Sequence, residues 1–200
     1  MHKPYKAKDH FFKKAKSEGL RARSAFKIEE IAKRHSLFRK GQAVLDLGAA
    51  PGGFLQIISD AVGPTGTVVG VDLAAIRSFN RPSVKTAVLD VLAADFEAQL
   101  FALYGGTYDC VVSDLAPKTT GIKSTDEARS LTLAGVALGI ARKRLKPGGS
   151  YVAKLFMGGD FEGFRNEVRQ SFGDVKVVRP EATRGQSMEV YLVGLRLKAA

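Results

Sequence analysis

The chain of 200 residues has no tryptophan, one cysteine and three histidines. It also has no run of eighteen or more apolar residues, so no membrane-spanning helix is expected. A lone Cys110 excludes an internal disulfide, and its place inside the apolar run YDCVVSDL reads as a small buried strand residue rather than a nucleophile. His2, His10 and His35 fall within the first forty residues without the spacing or the second ligand type of a metal centre, so no metal is expected. The opening stretch MHKPYKAKDHFFKKAK carries charge where a secretory signal would carry its apolar core. Together with the single thiol, this places the expected location in the cytoplasm.

Acidic charge is scarce at one end of the chain. The formal net charge is +11, with +9 in residues 1–40 and +2 in residues 41–200. The basic end is interleaved with Tyr5, Phe11, Phe12, Leu20 and Phe26, a mixture suited to phosphates and stacked bases. An anionic membrane surface is the rival partner, but before about residue 25 no clean apolar helical face is present to lie in a bilayer. Nucleic acid is the expected partner. Residues 1–22 are read as a basic RNA-binding arm and residues 23–200 as one catalytic domain, since the length suits a single large core.

The pattern SAFKIEEIAKRHSLF puts Phe26, Ile28, Ile31 and Ala32 near helical spacing, with Ser24 in N-cap position and Lys27 beside the apolar stripe. After Gly41, strands near 42–47, 67–72, 84–89, 109–114, 150–155, 174–179 and 189–196 are interspersed with helices near 53–61, 95–104, 126–145 and 161–171. The turn Lys146-Pro147-Gly148-Gly149 precedes the fifth strand. This is an α/β pattern: a seven-stranded, mostly parallel sheet covered on both faces. The last two strands are joined by too short a loop for a crossover helix and should pair antiparallel at one edge.

The segment Asp46-Leu47-Gly48-Ala49-Ala50-Pro51-Gly52-Gly53-Phe54 joins the first strand to the first helix of the sheet, where an open parallel sheet binds its ligand. Its small residues allow backbone to approach a ligand closely, and the helix that follows offers free N–H groups. Asp72 ends the next strand, where a carboxylate can accept bonds from both hydroxyls of an adenosine ribose. That much would also suit NAD, but the spacing of Gly48, Gly52 and Gly53, with a proline between, departs from G-x-G-x-x-G. Asp90 follows the third strand and could take the exocyclic amine of adenine; alone it would equally be a capping or turn aspartate.

Lys27, Asp114, Lys154 and Glu189 stand at the ends of different elements. Lys154 is the least ordinary, because it follows an apolar strand where an unpaired ammonium would be costly. The segments GLRARSAFKIEEI, VLDLGAAPGGF, SDLAP, GGSYVAKLF and SMEVYLV, in this order, resemble the FtsJ/RrmJ family of ribose 2'-O-methyltransferases over nearly the whole chain. The resemblance implies a Rossmann-like class I methyltransferase fold with S-adenosylmethionine as cofactor. It implies Lys27, Asp114, Lys154 and Glu189 as the catalytic tetrad, and Gly52, Phe54, Asp72, Asp90 and Asp114 around the cofactor. The implied substrate is a uridine ribose of 23S ribosomal RNA in the large ribosomal subunit. Phe54 replaces the family's common tryptophan, and Lys118 its usual asparagine after Ala116-Pro117.

The tetrad is chemically coherent on its own terms. An activated methyl group needs an in-line ribose oxygen and an acceptor for that oxygen's proton. A lysine accepts a proton only when neutral, a form favoured by partial burial and by a second ammonium nearby and opposed by carboxylates. Lys154 is the expected base, with Lys27 positioning the ribose and Asp114 and Glu189 orienting the ammonium groups. Transfer RNA is the alternative substrate, and a non-catalytic ribosome-assembly protein is the alternative function.

Overall fold

A computed structural model describes residues 10–185 and 187–199. His2, Tyr5 and the first nine residues of the predicted basic arm lie outside the described residues. The elements in chain order are α1 (His10–Ser17), α2 (Ala25–His35), β1 (Ala43–Leu47), α3 (Gly53–Val62), β2 (Thr67–Asp72), β3 (Val84–Val88), α4 (Phe96–Leu103) and β4 (Tyr108–Ser113). They continue with α5 (Lys123–Arg144), β5 (Leu145–Phe156), α6 (Phe161–Ser171), β6 (Phe172–Val178) and β7 (Glu189–Leu197).

The seven strands form one sheet in the order β3-β2-β1-β4-β5-β7-β6. The pairs β2/β3, β1/β2, β1/β4 and β4/β5 are parallel, whereas β7 runs antiparallel to both β5 and β6. The expected antiparallel pair at one edge is therefore present. Its reversed member, β7, sits one position in from the edge, inserted between β5 and β6. The turn expected at 146–149 ahead of the fifth strand is instead an irregularity within β5, which begins at Leu145: Leu145 pairs with Tyr108 and Ser150 with Cys110, so β5 spends four residues where β4 spends one.

Strands buried on both faces read as continuous apolar runs, and β1 (AVLDL) is buried at every position. One face packs under α4, α5 and α6 through Leu45, Leu100, Val111, Leu138, Tyr151 and Phe164. The opposite face packs under α2 and α3 through Ile28, Ile31, Leu55, Ile58, Val112 and Val152. Each fully buried Leu or Ile contributes about 1.5–3 kcal/mol. Cys110 is free and fully buried in β4, and burial with Asp109 beside it pushes the thiol well above its ordinary range, as fits an unreactive packing residue.

Two features at the start of the chain go beyond the sequence expectations. Ser24 occupies the N-cap of α2 but has right-handed helical angles and makes no side-chain capping bond. Instead, a tight turn satisfies the first amides: Ala25, Phe26 and Lys27 N–H donate to the carbonyls of Ala22, Arg23 and Ser24. The arm, which shows no sustained apolar period in sequence, nevertheless contains α1. Ala15 is buried with Phe26 and Ala182, and Phe11 and Leu20 close that small cluster. Its partners come from separate parts of the chain, so no local period signals it.

Candidate active site

The strand order reverses between β1 and β4, and the crevice above their C-terminal ends is the ligand position of an open parallel sheet. A cavity of about 290 Å3 opens there, walled by Gly48 and Ala50 after β1, Asp72 and Leu73 after β2, Asp90 and Leu92 after β3, and Asp114 and Leu115 after β4. Gly48 has φ +79°, and a Cβ on it would lie 2.9 Å from the Leu115 nitrogen, so the loop passes this close to the β4 loop only as glycine. Asp72 braces both walls: its carboxylate accepts the Ala50 N–H and the Ala74 N–H, each at 2.9 Å. Asp90 accepts the Leu92 N–H at 2.9 Å. Leu73 and Leu92 are exposed at the rim, 71% and 60% accessible.

Of the five expected cofactor residues, Asp72, Asp90 and Asp114 come together around this cavity, while Gly52 and Phe54 do not line it. Phe54 is the second residue of α3 and turns inward, with its ring 6.4 Å from that of Tyr191 in the core under that helix. Gly52 (φ +109°) is the N-cap of α3 and is pressed between Phe79 and Arg21, where a Cβ would lie 2.8 Å from the Phe79 ring.

Lys27, Asp114, Lys154 and Glu189 form two ion pairs on the α2/α3 side of the sheet. The Lys27 ammonium meets the Glu189 carboxylate directly. Lys154 Nζ lies 2.9 Å from Asp114 Oδ1 and donates to the Asp114 carbonyl at 2.7 Å. Both lysines are 8% exposed, and breaking such a pair leaves a buried charge uncompensated, a loss of about 3–5 kcal/mol. Lys27 reaches the site because α2 packs its buried face on α3 and the sheet. Lys154 and Glu189 share a sheet face, since Lys154 pairs with Tyr191 and Phe156 with Glu189 across β5 and β7.

Sequence reasoning missed two residues here. Tyr191 is fully buried, donates its hydroxyl to Asp114 Oδ1 at 2.8 Å, and places its ring 5.9 Å from Lys27 Nζ. It therefore bridges the two ion pairs. Burial and the carboxylates of Asp114 and Glu189 push its phenol well above its ordinary range, which keeps the donating proton in place. Its position two residues after Glu189 in an extended strand was the available signal. The second is Asp46: it is fully buried at the C-terminal end of β1, and neither carboxylate oxygen has a hydrogen-bond partner among the described residues. Burial first, then Asp114 and Asp72, raises its carboxyl well above the usual range, which favours the neutral acid.

A second cavity of about 560 Å3 lies on the other side of the ion pairs, lined by Arg23, Lys27, Arg184, Gly185, Ser187 and Glu189. Asp114 thus faces an acid-rich cavity, while Lys27 and Glu189 face a cation-rich one, with Tyr191 and Lys154 between them. The first cavity fits a cationic nucleoside cofactor: three carboxylates surround it, and apolar leucines stand at the rim beside a close-packed backbone loop. Among the described residues no three His, Cys, Asp or Glu side chains are arranged to hold a metal ion.

The ribosomal RNA large subunit methyltransferase E of Myxococcus xanthus is 67% identical over 199 residues, covering all of this chain and 93% of the relative. The protein of the same name from Anaeromyxobacter sp. is 57% identical over 200 residues, covering all of this chain and 72% of the relative. Among solved structures, a ribosomal RNA methyltransferase from Plasmodium falciparum superposes with a TM-score of 0.79 at 21% identity, covering 90% of this chain and all of that one. Aeropyrum pernix fibrillarin, solved with natively bound S-adenosyl-L-methionine, shares the fold at a TM-score of 0.59 and 15% identity, covering 86% of this chain and 76% of that one. With the FtsJ-like methyltransferase pattern matching residues 20–197, the chain belongs to the FtsJ-like methyltransferase family.

Proposed function

We propose that this S-adenosylmethionine-dependent methyltransferase methylates a ribose 2'-hydroxyl in RNA, and that its substrate is a uridine of 23S ribosomal RNA in the large ribosomal subunit, in the cytoplasm. The observation that carries the reading is the ion-paired partition between an acid-lined cavity and a cation-lined one. The cofactor, when bound, supplies an electrophilic methyl group. Asp72 and Asp90 would hold its adenosine end, and Asp114 would face its positive charge. On the other side, Arg23 and Arg184 attract the phosphates that flank the acceptor nucleotide.

Lys154 Nζ is the group assigned to take the proton of the ribose hydroxyl. Asp114 fixes the direction of that nitrogen, and Tyr191 in turn fixes Asp114. Lys27, held by Glu189, positions the ribose oxygen for in-line approach. The relatives named for large-subunit RNA support the substrate assignment. A preordered particle should be the better substrate, because an RNA already held in shape lowers the ordering cost that binding must overcome. The experiment supplies labelled S-adenosylmethionine with undermethylated large subunits, RNA stripped from them, and undermethylated transfer RNA at one salt concentration. Label is expected on the ribose of a large-subunit uridine, fastest in the particle. Transfer to transfer RNA with none to large subunits would reject the ribosomal assignment, and equal rates on particle and stripped RNA would reject the particle preference.

The basic arm of residues 1–22 is proposed to add RNA affinity. Because α1 is docked through Ala15, deleting the arm would disturb packing as well as charge, and neutralising exposed lysines is the cleaner test. Lys13→Gln with Lys16→Gln should weaken RNA binding and flatten its dependence on log salt by about 0.7 for each phosphate no longer neutralised. An unchanged slope would take these lysines off the RNA path.

A further inference from the structure

Arg21 lies in the basic segment, yet its guanidinium folds back onto the protein surface. It stacks 3.5 Å from the centre of the Phe79 ring and donates to the carbonyls of Arg77 at 2.5 Å, Ser78 at 2.7 Å and Pro51 at 3.5 Å. Its own N–H donates to Gln56 Oε1 at 2.6 Å, and the Gln56 amide returns a bond to the Gly19 carbonyl at 3.1 Å, which ties the arm to α3. Three carbonyls and an aromatic face occupy a cation that would otherwise be available for phosphate.

The segments it joins do not line the cofactor cavity themselves but continue directly from two of its walls. Pro51 and Gly52 follow Ala50, and Arg77 to Phe79 follow Asp72 and Leu73, along the connection from β2 to β3. That connection contains no helix, and its packing on the core runs through Ile76 and Phe79, the second of which is the ring that Arg21 covers. Gly52 shows how tightly the two are pressed: a Cβ there would lie 2.8 Å from Phe79 and 3.0 Å from the Arg21 side chain. A planar fork that donates in several directions while stacking on a ring is a property of arginine and not of lysine.

We infer that Arg21 is a positioning residue for the cofactor: it latches the 77–79 segment onto Pro51 and Gly52 and so sets the separation of the cavity walls, rather than binding RNA. It acts through the backbone of those walls and touches neither reacting group.

The inference uses S-adenosylmethionine as the probe and is separable from the identity of the RNA, because cofactor binding is read by calorimetry on the full chain without RNA. Arg21→Ala should weaken S-adenosylmethionine binding on the order of tenfold, about 1.4 kcal/mol. It should raise KM for the cofactor, leave kcat at saturating cofactor nearly unchanged, and leave the salt slope of RNA binding as it was. Arg21→Lys should fail to restore affinity. Phe79→Ala, which alters no charge, should reproduce the loss, and the double variant should lose little more than either single one, because both remove the same latch. Phe79→Ala also carries the test should Arg21→Ala not fold. Unchanged cofactor affinity in the Arg21 or the Phe79 variant overturns the inference. So does rescue by lysine, or a flattened salt slope with normal cofactor binding, since both describe a residue that acts through its charge.

Discussion

Lys154→Ala is expected to reduce methyl transfer by about 10²- to 10⁴-fold, the usual cost of removing one general base. S-adenosylmethionine should still bind, since Lys154 is absent from the cavity lining and its bonds are to Asp114. Lys154→Arg sharpens the test. Arginine keeps the charge and can still pair with Asp114, but it cannot become neutral to accept a proton. If Lys154 serves only as a charge, the arginine variant turns over well; if it is the base, both variants are equally poor. Asp72→Ala should behave in the opposite way, with cofactor affinity falling in calorimetry, because Asp72 braces Ala50 and Ala74 on the two walls. Near-normal turnover by Lys154→Ala would remove that lysine from the proton path, and unchanged affinity of Asp72→Ala would detach the cavity from the cofactor.

Asp46→Asn should make the protein more stable at neutral pH relative to the unsubstituted chain, by an amount that grows with pH. The Asp46 carboxyl has its folded-state value raised well above 3.8 by burial, with Asp114 and Asp72 adding to it. The folded state therefore holds a proton that the unfolded state releases above about pH 4. The contribution is fully present below that pH and is lost as pH rises toward the folded-state value. The slope of one unmatched proton is about 1.4 kcal/mol per pH unit. Urea denaturation of both proteins at intervals between pH 4.5 and 7.5 measures it. A stability difference that stays constant across that range would mean that Asp46 is ionised in the fold.

The alternation of strands and helices was legible because each apolar run had the length and period of its element, and strand and helix boundaries mostly agree within two or three residues. The ends of β1, β2 and β4 could be read as a site because the glycine-rich turn and the carboxylates sit at fixed places in such sheets. Lys154 was legible through its cost, a charge ending an apolar strand. What was hidden depended on partners distant in sequence. The packing of Ala15 with Phe26 and Ala182 leaves no local period, and the inward turn of Phe54 depends on how α3 rests on the sheet. Asp46 looked like the first residue of a loop motif, and only its burial without a partner marks it. Tyr191 gains its place only through the pairing of β7 with β5, which brings its hydroxyl to Asp114.

The insertion of β7 between β5 and β6 also sets an order in time. Lys27 and its partner Glu189 are 162 positions apart, and Tyr191 and Asp114 are separated by 77. A nascent chain that has reached β6 already holds Lys27, Asp114 and Lys154, but the slot beside β5 is empty and both ion pairs lack the strand that organises them. Such distant pairings are slow to form, because the entropy of closing the chain is lost before the native pairs reward it. The loop after β1 is therefore expected to form early in synthesis, and the proposed reaction centre to be complete only once residues 189–197 have paired beside β5.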